Sequence, residues 1–328
     1  QNTKLMENLS NILTSSHFYS AAFMLLLVMA LKACIGQFVT QQPLAFFNFY
    51  CQRLADKVNK SSNSARQQNI SGLIAIIVTL TPLLIILWLF EAFIEVYWLW
   101  HALLLYLALG SFGLTKTSKN VARELVANNN YQAKQKIAAF LLRSTEQLSP
   151  LGISKACIET QVLRSSQLLV CVGFYYLVFG PLAALTFRLL LEMHYAWNIK
   201  LARFIHFGAA INHIVKLLQW LPCRLFTLVL LLGTVGQNTL LYWRLIRGKF
   251  FHTDNSILLH VLALGLAVKL SGVAMYDGNK VRKTSFNDSA RQPQATDIIH
   301  ASKRINYALY LLILMMMLLA IISYSITD

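Results

Sequence analysis

Six stretches of the chain are almost unbroken runs of apolar residues: 18–38, 71–90, 93–114, 167–190, 217–236 and 305–325. Each is close to the roughly twenty residues that a helix needs to cross a hydrocarbon core of about 30 Å. The pattern predicts an all-α, polytopic helical membrane protein of about six spans, organised as one integral domain over 1–328. A seventh apolar stretch, ILLHVLALGLAVKL at 257–270, carries His260 and Lys269 and is too short to span, so it is expected to lie in the interface or to re-enter. Between the spans the period changes. KTSKNVARELVANNNYQAKQKIAAFLLRST alternates apolar and basic residues at helical spacing and is interrupted at Asn128-Asn129-Asn130. It predicts an amphipathic helical hairpin within an insertion over 115–166, on the cytoplasmic face. The stretch MYDGNKVRKTSFNDSARQPQATD has no apolar face and reads as a polar loop within 271–300.

Composition agrees with the pattern: 56% of the 328 residues are hydrophobic and 13% are charged. A formal charge of +16 would suggest nucleic acid in a soluble domain. Here the Lys and Arg residues concentrate in the connections 39–70, 115–166 and 237–304, where positive charge sets orientation, so nucleic acid is not an expected partner. Those connections are expected to face the cytoplasm. The acidic turn EAFIEVYWLWH, with Trp88, Tyr97, Trp98 and Trp100 around it, is expected to face outward, which puts both termini outside. No signal-peptide pattern precedes the first apolar run, so HFYSAAFMLLLVMALKACIG is expected to be a retained helix. The five cysteines are scattered without a C-x-x-C pair and read as packing residues.

No G-x-x-x-x-G-K-[ST], G-x-G-x-x-G or H-E-x-x-H is present, so no cofactor or metal is expected. Several polar groups inside or beside the spans still call for an account. Glu91 and Glu95 lie one helical turn apart, as a cation or proton site would require, although interfacial acids more often just end a helix. Lys32 sits within the first apolar run and must pair with an acid or snorkel. His194, His206 and His213 share one connection that is poor in carboxylates, a weak basis for a metal site. In QWLPCRL, Pro222 and Arg224 interrupt an apolar run, and a proline costs little only if it opens a helix.

That segment, within FGAAINHIVKLLQWLPCRL, resembles the CobD/CbiB family of cobalamin-biosynthesis membrane proteins, whose pattern there is FG-W-A-A-A-R-L-D-D-x-x-N-W-x-P-A-R-L. Gly208, Trp220, Pro222 and Arg224 fall on it. Upstream, QPLAFFNFYCQRLADKV with Pro43, LLRSTEQLSPLGISKACIET with Glu159, and GPLAALTFR resemble further family segments, so the resemblance covers most of residues 20–235. It implies an ATP-dependent amide synthesis joining an aminopropanol unit to a carboxylate of cobyric acid, chemistry that needs acids to hold Mg²⁺. The departures fall on those acids. Gly36 is kept, but Lys32 and Gln37 stand where the family has two aspartates; Leu163, Arg164, Gln167 and Leu168 follow Glu159 in place of E-N-x-x-D-G; and Val215 and Lys216 replace the D-D pair. The AmpE branch of the superfamily shows a similar loss, and CVGFYYLVFG, LLEMHYAWN and QWLPCRL are similar to its segments.

The resemblance therefore implies an AmpE-like, catalytically degenerate inner-membrane protein with a sensing or regulatory role in cell-wall recycling and β-lactamase induction. The runner-up is a divergent adenosylcobinamide-phosphate synthase. Lys32, Arg164, Lys216 and Arg224, with Glu159, are expected to form a cavity whose excess positive charge is met by an anionic lipid or a carboxylated cell-wall fragment, or else by ordinary membrane lipids after snorkelling.

Overall fold

The computed structural model describes residues 16–35, 44–60, 62–110, 113–141, 145–234, 239–253, 256–276 and 279–327. Gly36, Gln37 and Pro43 lie outside the described residues. The helices are α1 (Ser16–Ile35), α2 (Ala45–Val58), α3 (Ala65–Glu91), α4 (Tyr97–Ala108), α5 (Gly113–Val126) and α6 (Asn130–Ala138). They continue with α7 (Pro150–Phe179), α8 (Pro181–Ala196), α9 (Ala209–Leu232), α10 (Thr239–Ile246), α11 (Ser256–Leu266) and α12 (Ala295–Thr327). The protein is an all-α, multi-pass membrane protein. α1, α3, α7, α9 and α12 are long and apolar enough to cross a bilayer, five helices among the described residues rather than the six expected. Large apolar side chains exposed on them, such as Phe23, Val78, Trp88 and Ile321, make sense against lipid tails.

The difference in count comes from the stretch 93–114, and the bounds of a second stretch shift. The stretch 93–114 holds only the 12 residues of α4, because Leu109 turns extended (φ −63°, ψ 142°) and the carbonyls of Tyr106 and Leu109 accept hydrogen bonds from the Lys32 ammonium. The stretch 167–190 is broken at Gly180, which adopts φ +87°, open to glycine without a steric penalty, followed by Pro181 in the first turn of α8. The helix before the break begins at Pro150, capped by Ser149 on Gly152 N–H at 3.1 Å. The expected insertion over 115–166 is thus only in part a hairpin: α5 and α6 form it, turning at Asn128 with φ +59°, while 150–166 is the start of a long span. Glu124 of α5 ties the hairpin together through Lys136 at 2.5 Å and Asn129 at 3.3 Å.

The expected boundary at Pro222 is also absent, since α9 runs straight through it. A proline there cannot donate to the carbonyl of Leu218 one turn back. The Tyr175 hydroxyl of α7 donates to that carbonyl instead, at 2.8 Å. Nor is 271–300 a loop. β1 (Leu270–Tyr276) and β2 (Asn279–Phe286) pair antiparallel, with Leu270 opposite Phe286, and α12 follows from Ala295. In sequence, Asp277-Gly278 is a hairpin-turn dipeptide that a reading for apolar faces passes over.

Inside α7 the segment Ser166–Cys171 widens into a π-turn. The carbonyl of Leu168 there accepts the Gly110 N–H at 3.1 Å, and a Cβ on Gly110 would come within 2.4 Å of the Leu168 side chain, so the approach of the chain after α4 needs a glycine. The most enclosed element is α8, packed against α2, α3, α4, α7 and α9. It buries Phe187, Leu191 and Met193 and, at i and i+4, an Arg188–Glu192 ion pair at 2.5 Å, with Asn48 of α2 on the same carboxylate at 3.3 Å.

Candidate functional site

The π-turn brings one face of α7 opposite the start of α9. Between them, with the end of α8, the residues just after it and the two that follow α6, lies a cleft of about 290 Å³. α7 contributes Glu159, Leu163, Arg164 and Gln167; α8 contributes His194 and Tyr195; the next residues add Asn198 and Lys200; α9 adds Asn212, Val215, Lys216 and Gln219. Arg164, Lys200 and Lys216 face a single acid, Glu159.

These side chains are held, not loose. The Arg164 guanidinium lies over the rings of Tyr195 (4.9 Å) and Phe140 (5.9 Å), a cation–π arrangement that fixes the charge without neutralising it. The Tyr195 hydroxyl donates to the Gln167 carbonyl oxygen at 2.5 Å, and the Gln167 amide donates to Gln219 at 3.3 Å, so a polar chain crosses from α8 to α9 through α7. Glu159 accepts the N–H of Ser271, at the base of the β-hairpin, at 2.9 Å. Nδ1 of His194 is buried at the cleft with no hydrogen-bond partner among the described residues. The arrangement suits an anion: a guanidinium fixed over two rings, two lysines, amide donors and a single carboxylate.

Of the residues singled out in the sequence, Glu159, Arg164 and Lys216 come together here, along with Leu163, Gln167 and Val215 at other positions where family acids are replaced. Lys32 and Arg224 do not line the cleft. Lys32 is buried on the C-terminal carbonyls of α4, with its ammonium 4.6 Å from the Tyr106 ring, so helix carbonyls take the place of the expected acid. Arg224 donates to the carbonyls of Phe250 and His252 and packs beside Trp220 at 5.9 Å, which fastens the turn after α10 to α9. Pro222 is buried in α9, and Gly208 caps its start, where a Cβ would fall 2.1 Å from the Trp197 carbonyl. Glu91 accepts from His101 at 3.4 Å and ends α3. Among the described residues, no three His, Cys, Asp or Glu side chains gather as metal ligands. Lys200, Tyr195 and Gln219 complete the cleft. No motif or pattern in the sequence marks Lys200.

The Mg²⁺–nucleotide pair that the family resemblance implies does not fit this donor set. A small hard cation needs several oxygen ligands, and the cleft offers one carboxylate beside three cationic side chains.

The sequence model of the CobD/Cbib protein family matches residues 25–305. Curated relatives named "Cobalamin biosynthesis protein CobD" include one from Stutzerimonas stutzeri, 29% identical over 273 residues, which covers 83% of this chain and 88% of that protein. One from Chromobacterium violaceum is 24% identical over 299 residues, covering 89% and 94%. One from Leptospira interrogans serogroup Icterohaemorrhagiae serovar copenhageni is 28% identical over 193 residues, covering 57% and 61%. No solved structure matches. Nothing in these matches favours the AmpE-like branch specifically. With a match spanning most of its length, the chain belongs to the CobD/CbiB family.

Proposed function

We propose that this protein serves cobalamin biosynthesis at the bacterial inner membrane as a divergent CobD, and that the cleft between α7, α8 and α9 holds an anionic group of its substrate, a carboxylate or a phosphate. The relatives' names support the pathway. The observation that carries the site is the set of three cations, Arg164, Lys200 and Lys216, facing one acid in a built cleft. Arg164 suits a planar carboxylate or a phosphate by geometry, and the two lysines act as point charges. The reaction implied by the family resemblance is amide formation between aminopropanol and cobyric acid. That reaction needs ATP to activate the carboxylate and carry off its oxygen as phosphate, and this cleft would bind and orient the acid component, not the nucleotide.

A second reading rests on the same charge reversal: a protein that has kept the fold and lost turnover, and senses an anionic cell-wall fragment or lipid as an AmpE-like regulator would. One experiment separates the two. A bacterial strain lacking its own CobD and fed cobyric acid should regain cobalamin-dependent growth when given this gene, and lose it again with Arg164→Gln or Lys216→Gln. Failure to restore growth with the protein present in the membrane, together with saturable binding of an anionic muropeptide, would favour the sensor.

A further inference from the structure

The imidazole of His194 lies near the end of α8, which is not among the crossing helices, and forms part of the cleft wall. Its two nitrogens differ in what can reach them. Nδ1 is sealed inside the protein without a hydrogen-bond partner among the described residues. Nε2 has no partner among them either, but it is not sealed off, so it is the nitrogen that a ligand in the cleft can touch. The charged groups around the ring come from several elements. Arg164 and Glu159 line the cleft from α7, Lys200 from the residues after α8, and Lys216 from α9. On α8 itself Glu192 pairs with Arg188, and the Tyr195 hydroxyl donates to Gln167. Glu159 accepts from Ser271, so no carboxylate among the described residues answers the imidazole.

This setting keeps the ring neutral. Burial first, and then the charges of Lys200 and Lys216, push its pKa down to about 4. Protonation would also put an N–H on Nδ1, where it would meet no acceptor. A neutral imidazole carries a single N–H, on one nitrogen or the other. Beside a bound anion, a lone pair on Nε2 would face negative charge, whereas an N–H there is attracted to it.

We infer that His194 binds the anion in the cleft as a neutral donor through Nε2–H, and that its contribution does not change with pH between about 6 and 8. The inference rests on the reading of the cleft as an anion site and adds to it a donor that is not a cation. A histidine at its ordinary pKa of about 6.5 would behave otherwise, gaining charge as pH falls through that value and holding an anion more tightly. Here the ring stays neutral until pH falls toward the lowered value.

The test uses the full chain in detergent with sulfate as the probe, because sulfate keeps its charge across this range. Long-range proton–nitrogen NMR of protein labelled in its histidine rings, with the His194 signals assigned by their loss in His194→Gln, should show a neutral ring at neutral pH, protonated on Nε2. The Nε2 resonance should move as sulfate is added. By calorimetry, sulfate affinity should agree within about twofold at about pH 6 and pH 8, and fall about fivefold in His194→Phe at both. His194→Gln keeps an amide donor and should recover most of that loss. Arg164→Gln and Lys216→Gln should weaken sulfate binding, which places the probe in the cleft. Binding that responds to those two changes yet is equal in the parent and His194→Phe would overturn the inference and leave the anion reading of the cleft standing. An imidazolium at neutral pH, or a proton on Nδ1, would overturn it in the same way, and those readings are made on the parent, so they decide even if His194→Phe does not fold. Sulfate binding indifferent to every substitution, or absent, would overturn both.

Discussion

The hydrogen bond from Tyr175 to the carbonyl of Leu218 should behave as a replacement for the one that Pro222 cannot make. Tyr175→Phe keeps the ring, which stacks on Phe187 with centroids 5.0 Å apart, and removes only the donor. What remains is a helix carbonyl inside the bundle whose natural partner, the N–H of residue 222, does not exist. Hydrogen bonds between membrane helices average about 0.6 kcal/mol in double-mutant cycles, because partners left behind find substitutes. A stranded acceptor costs more, about 1–3 kcal/mol. The expected loss for Tyr175→Phe is therefore about 1–3 kcal/mol of unfolding free energy, measured by reversible detergent titration. Pro222→Ala restores the N–H, so the same Tyr175→Phe change in that background should cost about 1 kcal/mol less. Two contacting sites that add within about 0.5 kcal/mol would show no coupling. Such additivity would refute the account, and so would a loss below about 0.5 kcal/mol in the Pro222 parent.

Other outcomes are open to direct measurement. Lys32→Met should destabilise the fold by about 1–3 kcal/mol, because the carbonyls of Tyr106 and Leu109 lose their donor, and exchange of the α4 amides should rise with it. A single cysteine at Asn129, at the turn of the α5–α6 hairpin, should resist membrane-impermeant labelling from outside intact cells; efficient labelling would reverse the proposed topology. The Glu124 carboxyl is held below the usual range by its hydrogen bond to Lys136 and then by that to Asn129. Its stabilising contribution is therefore complete above the ordinary glutamate pKa and is lost as pH falls through the lowered one. Amide exchange in α5 and α6 should quicken on acidification relative to α9, and Lys136→Gln should remove that difference.

The long spans are legible in the sequence because a bilayer asks for length and apolar side chains, which 18–38, 71–90 and 305–325 display without interruption. The turn at Asn128 is legible too, since asparagine tolerates the left-handed conformation found there. Two breaks read wrongly, in opposite directions. Gly180-Pro181 hides inside an apolar run and does end a helix, whereas Pro222 looks like an end and is not one, because its remedy is a hydroxyl 47 residues earlier in the chain, between positions 175 and 222. Of the residues singled out in the sequence, Glu159, Arg164 and Lys216 line one cleft. Lys32 and Arg224 were grouped with them by their positions on family motifs together with their charge. Their partners are main-chain carbonyls, and every residue carries one, so no residue type in the sequence marks them.

The helix α8 has a bearing on how the protein is made. At 16 residues it is about 24 Å long, short of a bilayer crossing, and it carries an arginine and a glutamate through its middle. A translocon sorting segments by hydrophobicity has little reason to release such a piece into lipid by itself. The ion pair and the Asn48 contact become favourable only after α2, α3, α4, α7 and α9 surround it. On this reasoning α8 is expected to be seated by assembly after the long spans, and its C-terminal residues His194 and Tyr195 are one wall of the cleft. A chain that fails to seat α8 would lack a finished cleft, and an anionic ligand of the kind proposed, if it bridged Arg164 and Lys216, would favour the seated state during biogenesis.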